Sequence, residues 1–278
     1  MGGALSDPTA IGCDVIRTRE TELGWGALAN SQQYRSHILE GRRRTEQMTR
    51  YKDYRRDMPT VVDRYPTLVP MLDALRVDHD RHFDVVASIL GPNGPGVDAP
   101  FFEVDIVLVS VLNRSLDLLD GFVDTFERWN ISSAAPLVRL QVDNLLRLNL
   151  LTVAPPGSVT PLLLSGEPLR KADDPLSKGK KTKLTDHRLR QLAAENFPWL
   201  DQVYERASGW VHFSSVHIGV TLRIDDAGVM EGRFPSDTDR YPPEFLEQVL
   251  WSMMEATNGI LAIADDFAAG KAESSKSW

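Results

Sequence analysis

The residues best suited to chemistry fall on two stretches predicted as helices. In 136–153, PLVRLQVDNLLRLNLLTV, Arg139, Asp143 and Arg147 recur at i, i+4 and i+8, so one stripe carries two guanidiniums and a carboxylate. Leu140 and Leu150 flank or interrupt that stripe, and the other faces are almost entirely leucine and valine. A helix apolar nearly all round belongs at the centre of a fold. Its charges must then be paired or partly wetted, because an isolated buried charge is too costly. Asp143 between two arginines meets that requirement in part, and Asp117 or Asp120 of a neighbouring helix can add to it.

The second stretch is 199–215, WLDQVYERASGWVHFSS. Trp199, Leu200, Val203, Ala207 and Val211 make its apolar face, with Tyr204, Ser208 and His212 at i, i+4, i+8 along the edge. A phenol, a hydroxyl and an imidazole in a row can transfer protons, hold a polar ligand, or satisfy hydrogen bonds between helices. Gly209 inside the helix costs stability and suggests close approach of a backbone or ligand. No Gly-x-Ser-x-Gly nucleophile elbow accompanies these residues. The segment Asp78-His79-Asp80-Arg81-His82-Phe83-Asp84 has metal-ligand residue types, with Asp78 and His82 one turn apart. It lacks a paired Glu-x-x-His motif, so it reads as a hydrophilic helix face rather than a metal centre, and neither a metal nor a cofactor is expected.

Hydrophobic periodicity supplies the elements that would position these groups. Residues 14–57 read as mostly helical, with Tyr65-Pro66 and Val69-Pro70 breaking the chain before an amphipathic helix over 71–90. GPNGPGVDAP, 91–100, reads as a linker. A long amphipathic helix follows over 102–129, then the Arg139 helix, opened by Ser132-Ser133 as caps with Pro136 early in its first turn. Residues 155–184 read as a long loop containing the lysine-rich run Lys178–Lys183, which has no strand–turn–helix context for phosphate. Thr185 or Asp186 caps a helix to about 196. The alternation Ile218, Val220, Leu222, Ile224, then Asp225-Asp226-Ala227-Gly228 and Val229–Phe234, predicts a hairpin. The last helix is expected over about 243–269.

Composition bounds the function. The 278 residues carry a net charge of −8, which argues against general affinity for nucleic acid. The charge is uneven: between Arg35 and Asp57, eight basic residues face four acids with Tyr34, Tyr51 and Tyr54 interleaved, whereas 223–278 hold eleven acids against five bases. The basic segment reads first as a solvated helix with pairs such as Glu46–Arg50, and second as a grip for a single strand. The single cysteine, Cys13, forms no internal disulfide. No signal peptide or membrane span is visible, so a cytoplasmic location is expected.

Four segments together resemble a group of helical prokaryotic proteins of unsettled activity. They are Asn113-Arg114-Ser115-Leu116-Asp117-Leu118-Leu119-Asp120-Gly121-Phe122, Ala135 through Arg147, Lys183-Leu184-Thr185-Asp186, and Val203-Tyr204 through Ser208-Gly209-Trp210-Val211-His212-Phe213-Ser214 with His217-Ile218. The resemblance covers about 104–218. A more distant likeness is to the HEPN ribonucleases, whose signature is an arginine and a histidine four to six residues apart, matched here by Arg206 and His212. Those two lie about 120° apart on a regular helix. Arg139 from the neighbouring helix is the better partner for His212. The likeness would make His212 the acid or base and Arg139 the stabiliser of phosphorane charge.

The expected fold is therefore mainly α: a helical bundle over 98–270 with one β-hairpin near 217–235, a helical arm over 1–90 and a flexible tail over 271–278. The expected function is a helical binding or interaction protein with a semi-buried polar network. Asp143, Arg147, Tyr204 and Ser208 are its binding residues, and a small polar ligand or a protein is its partner. The alternative is a HEPN-like, metal-independent ribonuclease in stress or phage defence, with His212 and Arg139 as the catalytic candidates. RNA and a second copy of the chain are the further partners these readings admit.

Overall fold

The computed structural model describes residues 58–91, 100–177, 182–212, 214–224, 228, 230–233 and 240–275. Among them are nine α-helices: α1 (Val61–Arg64), α2 (Val69–Leu90), α3 (Glu103–Glu127), α4 (Ile131–Val153), α5 (Thr160–Leu164), α6 (Asp186–Ala193), α7 (Leu200–Val211), α8 (Ser215–Thr221) and α9 (Pro243–Ser275). The fold is mainly α. None of these helices is long and apolar enough to cross a membrane.

The centre is α4, which packs against α3, α6, α7 and α9. Val138, Val142, Leu145, Leu146, Leu148 and Leu150 of α4 are fully buried, as the leucine-rich composition of this segment anticipates. Each such side chain contributes about 1.5–3 kcal/mol by leaving water. α9 lies along α2, α4 and α3, and α2 packs on α3. Gly259 brings α9 close to its neighbours: a Cβ there would sit 2.9 Å from Leu145 Cδ1 and 3.0 Å from Phe197 Cε1.

Of the stretch 91–100, read as a linker, only Gly91 and Pro100 are described, and the described residues before and after it share one core. Val61, Leu68, Leu72, Leu75, Val85 and Ile89 join the same buried cluster as α3, α4 and α9. The described part of the expected arm thus belongs to the bundle, because an amphipathic helix must bury its apolar stripe against something. The helical reading of 14–57, with its basic segment, falls outside the described residues. At the other end α9 runs on through Ser275, past the expected start of a tail at 271. Lys271 anchors that last turn: its ammonium donates to Asp105 Oδ2 at 2.6 Å and to the Ile89 carbonyl at 2.8 Å, with Asp105 buried and Lys271 largely so.

Helix ends differ from expectation in instructive ways. Ser132 and Ser133 fall inside the first turn of α4, whose N-cap is Asn130, and Pro136 is the sixth helical residue. α3 closes with Trp129 N–H donating to Phe126 O and Asn130 N–H donating to Thr125 O, the paired bonds of a Schellman cap. The left-handed residue of that cap is Trp129 (φ 62°), where glycine is usual. Its indole N–H donates to Pro59 O at 2.7 Å, and its ring meets Tyr65 edge-on.

The region 155–184 is more ordered than a bare loop. It holds α5, a 3₁₀ turn (Leu169–Lys171) and a bridge between Asp173 and Lys183. Buried Asp174 ties it down, accepting from Arg188 Nε at 2.8 Å. Residues 178–181 of the lysine run lie outside the described residues. The hairpin expected near 217–235 is not shown as such. Residues 215–221, which include its first alternating positions, form α8, and 225–227, 229 and 234–239 lie outside the described residues. What remains is a three-residue antiparallel register pairing Leu222 with Gly232 and Ile224 with Met230. A short apolar alternation fits a helix or a strand. Here Ser214 sets the helical start, its backbone N–H meeting His217 Nδ1 at 3.3 Å.

Candidate functional site

The stripe read from α4 is present and reaches onto two further helices. Arg139 pairs with Asp143 one turn on, in a half-buried ion pair. Its other terminal nitrogen lies 3.2 Å from Asp186 Oδ2 at the start of α6. The same guanidinium stacks on the Tyr204 ring of α7, with Cζ 3.7 Å from the centroid, and donates to the phenol oxygen. Tyr204 in turn donates to Asp186 Oδ2 at 2.8 Å. A second guanidinium, Arg190 of α6, stacks on the same ring at 4.4 Å and is held by Asp201 (2.9 Å) and Glu205.

Local sequence explains the convergence. Thr185 caps α6 by accepting from Arg188 N–H, which places Asp186 in the first turn. A carboxylate is favoured there by the helix dipole. Arg190 follows one turn later, so both residues reach the same side of α7. Tyr204 is buried to 9% exposure. Burial, the hydrogen bond to Asp186 and that carboxylate's charge push its phenol up to about 12, against the opposing pull of Arg139. Tyr204 is therefore un-ionised at neutral pH and acts as a hydrogen-bonding and stacking group.

Arg147 also joins. It donates to the Asp143 backbone carbonyl at 2.8 Å and lies 3.5 Å from the Asp143 carboxylate. Arg114 of α3 arrives from the far side, donating to Asn144 Oδ1. Burial, and then the charge of Arg147, lower its pKa, with Asp143 opposing.

Two expected members do not take part. Ser208 donates back to the Tyr204 carbonyl at 2.8 Å, satisfying itself within α7. His212 is beyond the helix: α7 ends at Val211, and His212 is its C-cap with extended backbone and an exposed side chain. The i, i+4, i+8 series thus breaks at its last residue. Gly209 accommodates no close neighbour, since a Cβ there would find only Ser214 Oγ at 3.9 Å.

Sequence reasoning missed a second network beneath the stripe. The α4 residues Gln141 and Asn144 are buried, as are Ser115, Thr257 and His82. Gln141 Nε2 donates to Ser115 Oγ (2.7 Å) and to Thr257 Oγ1 (3.0 Å), and Asn144 Nδ2 donates to Gln141 Oε1 (3.2 Å). His82 Nε2 lies 2.8 Å from Ser115 Oγ, and Nδ1 lies 2.7 Å from the Asp78 carbonyl. Ser115 accepts from Gln141, so its own hydrogen goes to His82 Nε2. The imidazole is then neutral and donates through Nδ1 to Asp78 O. Burial, the largest cause, lowers the His82 pKa accordingly. Asp78 and His82, read as part of a hydrophilic face, are in fact buried, and both imidazole nitrogens are engaged. The detectable signal was a pair of uncharged amides, i and i+3, in an otherwise apolar helix, which require partners.

The geometry thus offers a polar face on α3, α4, α6 and α7, carrying Arg114, Arg139, Arg147 and Arg190 around Asp143, Asp186 and Tyr204, with a satisfied buried network behind it. No protein-family model, curated protein or solved structure matches the chain.

Proposed function

We propose that this chain is a helical binding protein whose ligand site is the polar face over Arg139, Asp143, Arg147, Asp186 and Tyr204. The observation that carries this reading is the clamp on Tyr204: two guanidiniums stack on a buried phenol that also bonds Asp186, joining three helices at one point. A purely structural lock would leave little reason for a half-exposed Arg147 beside Asp143 on the same stripe. Rigid aromatic and guanidinium planes with fixed donors are what a small polar ligand needs. The proposal includes cytoplasmic residence and a hairpin completed between the paired segments Leu222–Ile224 and Met230–Gly232. The test is a thermal-shift and NMR screen of small polar compounds against the wild type and Tyr204→Phe. Binding that shifts α4, α6 and α7 resonances and weakens in the variant supports the site. Hits that ignore Tyr204→Phe reject it.

The HEPN-like ribonuclease is the second reading, favoured only by the solvent exposure of His212 just past the end of the helix that carries Tyr204. It needs Arg139 and His212 around one phosphate, and Arg139 is already engaged by Asp143, Asp186 and Tyr204. Metal-independent RNA cleavage lost in both His212→Ala and Arg139→Gln, with folding intact, would replace the binding reading.

A further inference from the structure

The arginines at the α3 edge of this face indicate what its ligand carries; this step rests on the binding reading above. Arg114 and Arg147 come from different helices and share one neighbourhood: Arg114 bonds Asn144, which precedes Arg147 by one turn of α4. Asn144 is itself fixed by Gln141, which is fixed by Ser115 and Thr257, so Arg114 is aimed by a buried chain of hydrogen bonds. Arg147 uses only Nη1, in its carbonyl bond and its stretched 3.5 Å contact to Asp143. Nε and Nη2 of both arginines have no partner among the described residues. The nearest carboxylate, Asp143, is held more closely by Arg139. Arg139 and Arg147 pair with Asp143, and Arg114 lies close enough to interact electrostatically with Arg147 and Asp143, so the three guanidiniums leave two positive charges in excess, or one if Asp186 is assigned to Arg139. Like charges held together this way are stabilised by an anion between them.

A carboxylate fills one guanidinium fork, whereas a phosphate monoester presents three oxygens and a charge near −2, enough for two forks. We propose that Arg114 and Arg147 bind the phosphate monoester group of a small molecule, oriented by Asn144, with the rest of the ligand lying toward Tyr204. A small ligand is favoured over RNA because the net charge of −8 repels a polyanion.

The test is calorimetric titration of the full chain with inorganic phosphate and with glycerol 3-phosphate, at pH about 7.5 and at ionic strength matched with sodium chloride. Saturable, stoichiometric binding of glycerol 3-phosphate is expected, at least as tight as that of phosphate. Arg147→Gln and Arg114→Gln should each weaken it by about tenfold or more. Arg76→Gln, an exposed side chain of α2, should leave it unchanged. If Arg114→Gln lowers folding cooperativity by circular dichroism, Arg147→Gln decides. Absence of heat up to about 10 mM, or affinity indifferent to Arg147→Gln, overturns the proposal. So does an RNA oligonucleotide that binds through Arg147 when neither small phosphate does. A neutral ligand bound at Tyr204 without phosphate binding would remove the phosphate assignment and leave the site. Absence of both would remove the site as well.

Discussion

Replacing Gln141 with leucine tests the buried network most directly. The side chain is fully buried and near leucine in volume, so the change removes polarity with little cavity. Three hydrogen bonds disappear: to Ser115, Thr257 and Asn144. Ser115 keeps His82, and Asn144 Oδ1 keeps Arg114. The Asn144 Nδ2 group and the Thr257 hydroxyl are left without these bonds in a dry interior. At about 1–3 kcal/mol for each stranded group, less the gain from a more apolar side chain, the net loss should be about 2–4 kcal/mol. Urea denaturation followed by circular dichroism at constant m-value measures it. Adding Thr257→Val to the variant should cost far less than Thr257→Val in the wild type, because its partner is already gone. A loss under about 0.5 kcal/mol for Gln141→Leu, or strict additivity in the cycle, would refute the view that these polar groups depend on one another.

Gly259→Ala should destabilise by about 1–3 kcal/mol, since its Cβ meets fully buried Leu145, whereas Gly121→Ala, with Leu137 Cδ1 at 3.6 Å, should stabilise α3 by about 0.5–1 kcal/mol; paired thermal melts separate the two. Lys271→Met strands the buried Asp105 carboxylate and should cost about 3–5 kcal/mol, part of which returns when Asp105→Asn is added. His82 holds fewer protons folded than unfolded, so its contribution is complete above pH about 6.5 and is lost as pH falls toward its lower native value. Asp78 and Glu255, raised by burial, act with the opposite sign in the carboxylate range. The comparison is therefore wild type against His82→Gln in urea at pH about 7.5 and 5.5, and the wild type should lose more stability between them.

The centrality of α4 was legible because leucine and valine surround it on nearly every side, and the Arg139–Asp143–Arg147 stripe was legible because charges at i, i+4, i+8 on such a helix must converge on something. The partners were not legible. Asp186 and Arg190 reach Tyr204 from a short helix whose docking depends on tertiary packing, and no spacing within α7 encodes it. His212 was misplaced because periodicity carried the helix across Val211, whereas Ser214 starts a new helix only three residues later. The boundary read at 91–100 rests on a local cue of the same kind. Gly-Pro punctuation is chemistry local to a few residues, whereas buried Leu72 and Leu75 show that apolar surface is shared between the described residues on either side.

Trp129 has one further consequence. An L residue with its backbone in the left-handed basin stores about 1–2 kcal/mol, which relaxes unless something outside the joint restrains it. The restraint is a carbonyl seventy positions earlier, at Pro59, together with the face of Tyr65. The corner between the third and fourth rods is thus latched by the strand of chain that leads into the first. The angle at which the guanidinium-bearing rod leaves that corner is therefore tied to the docking of the early segment, and loosening that contact should be felt at the polar face.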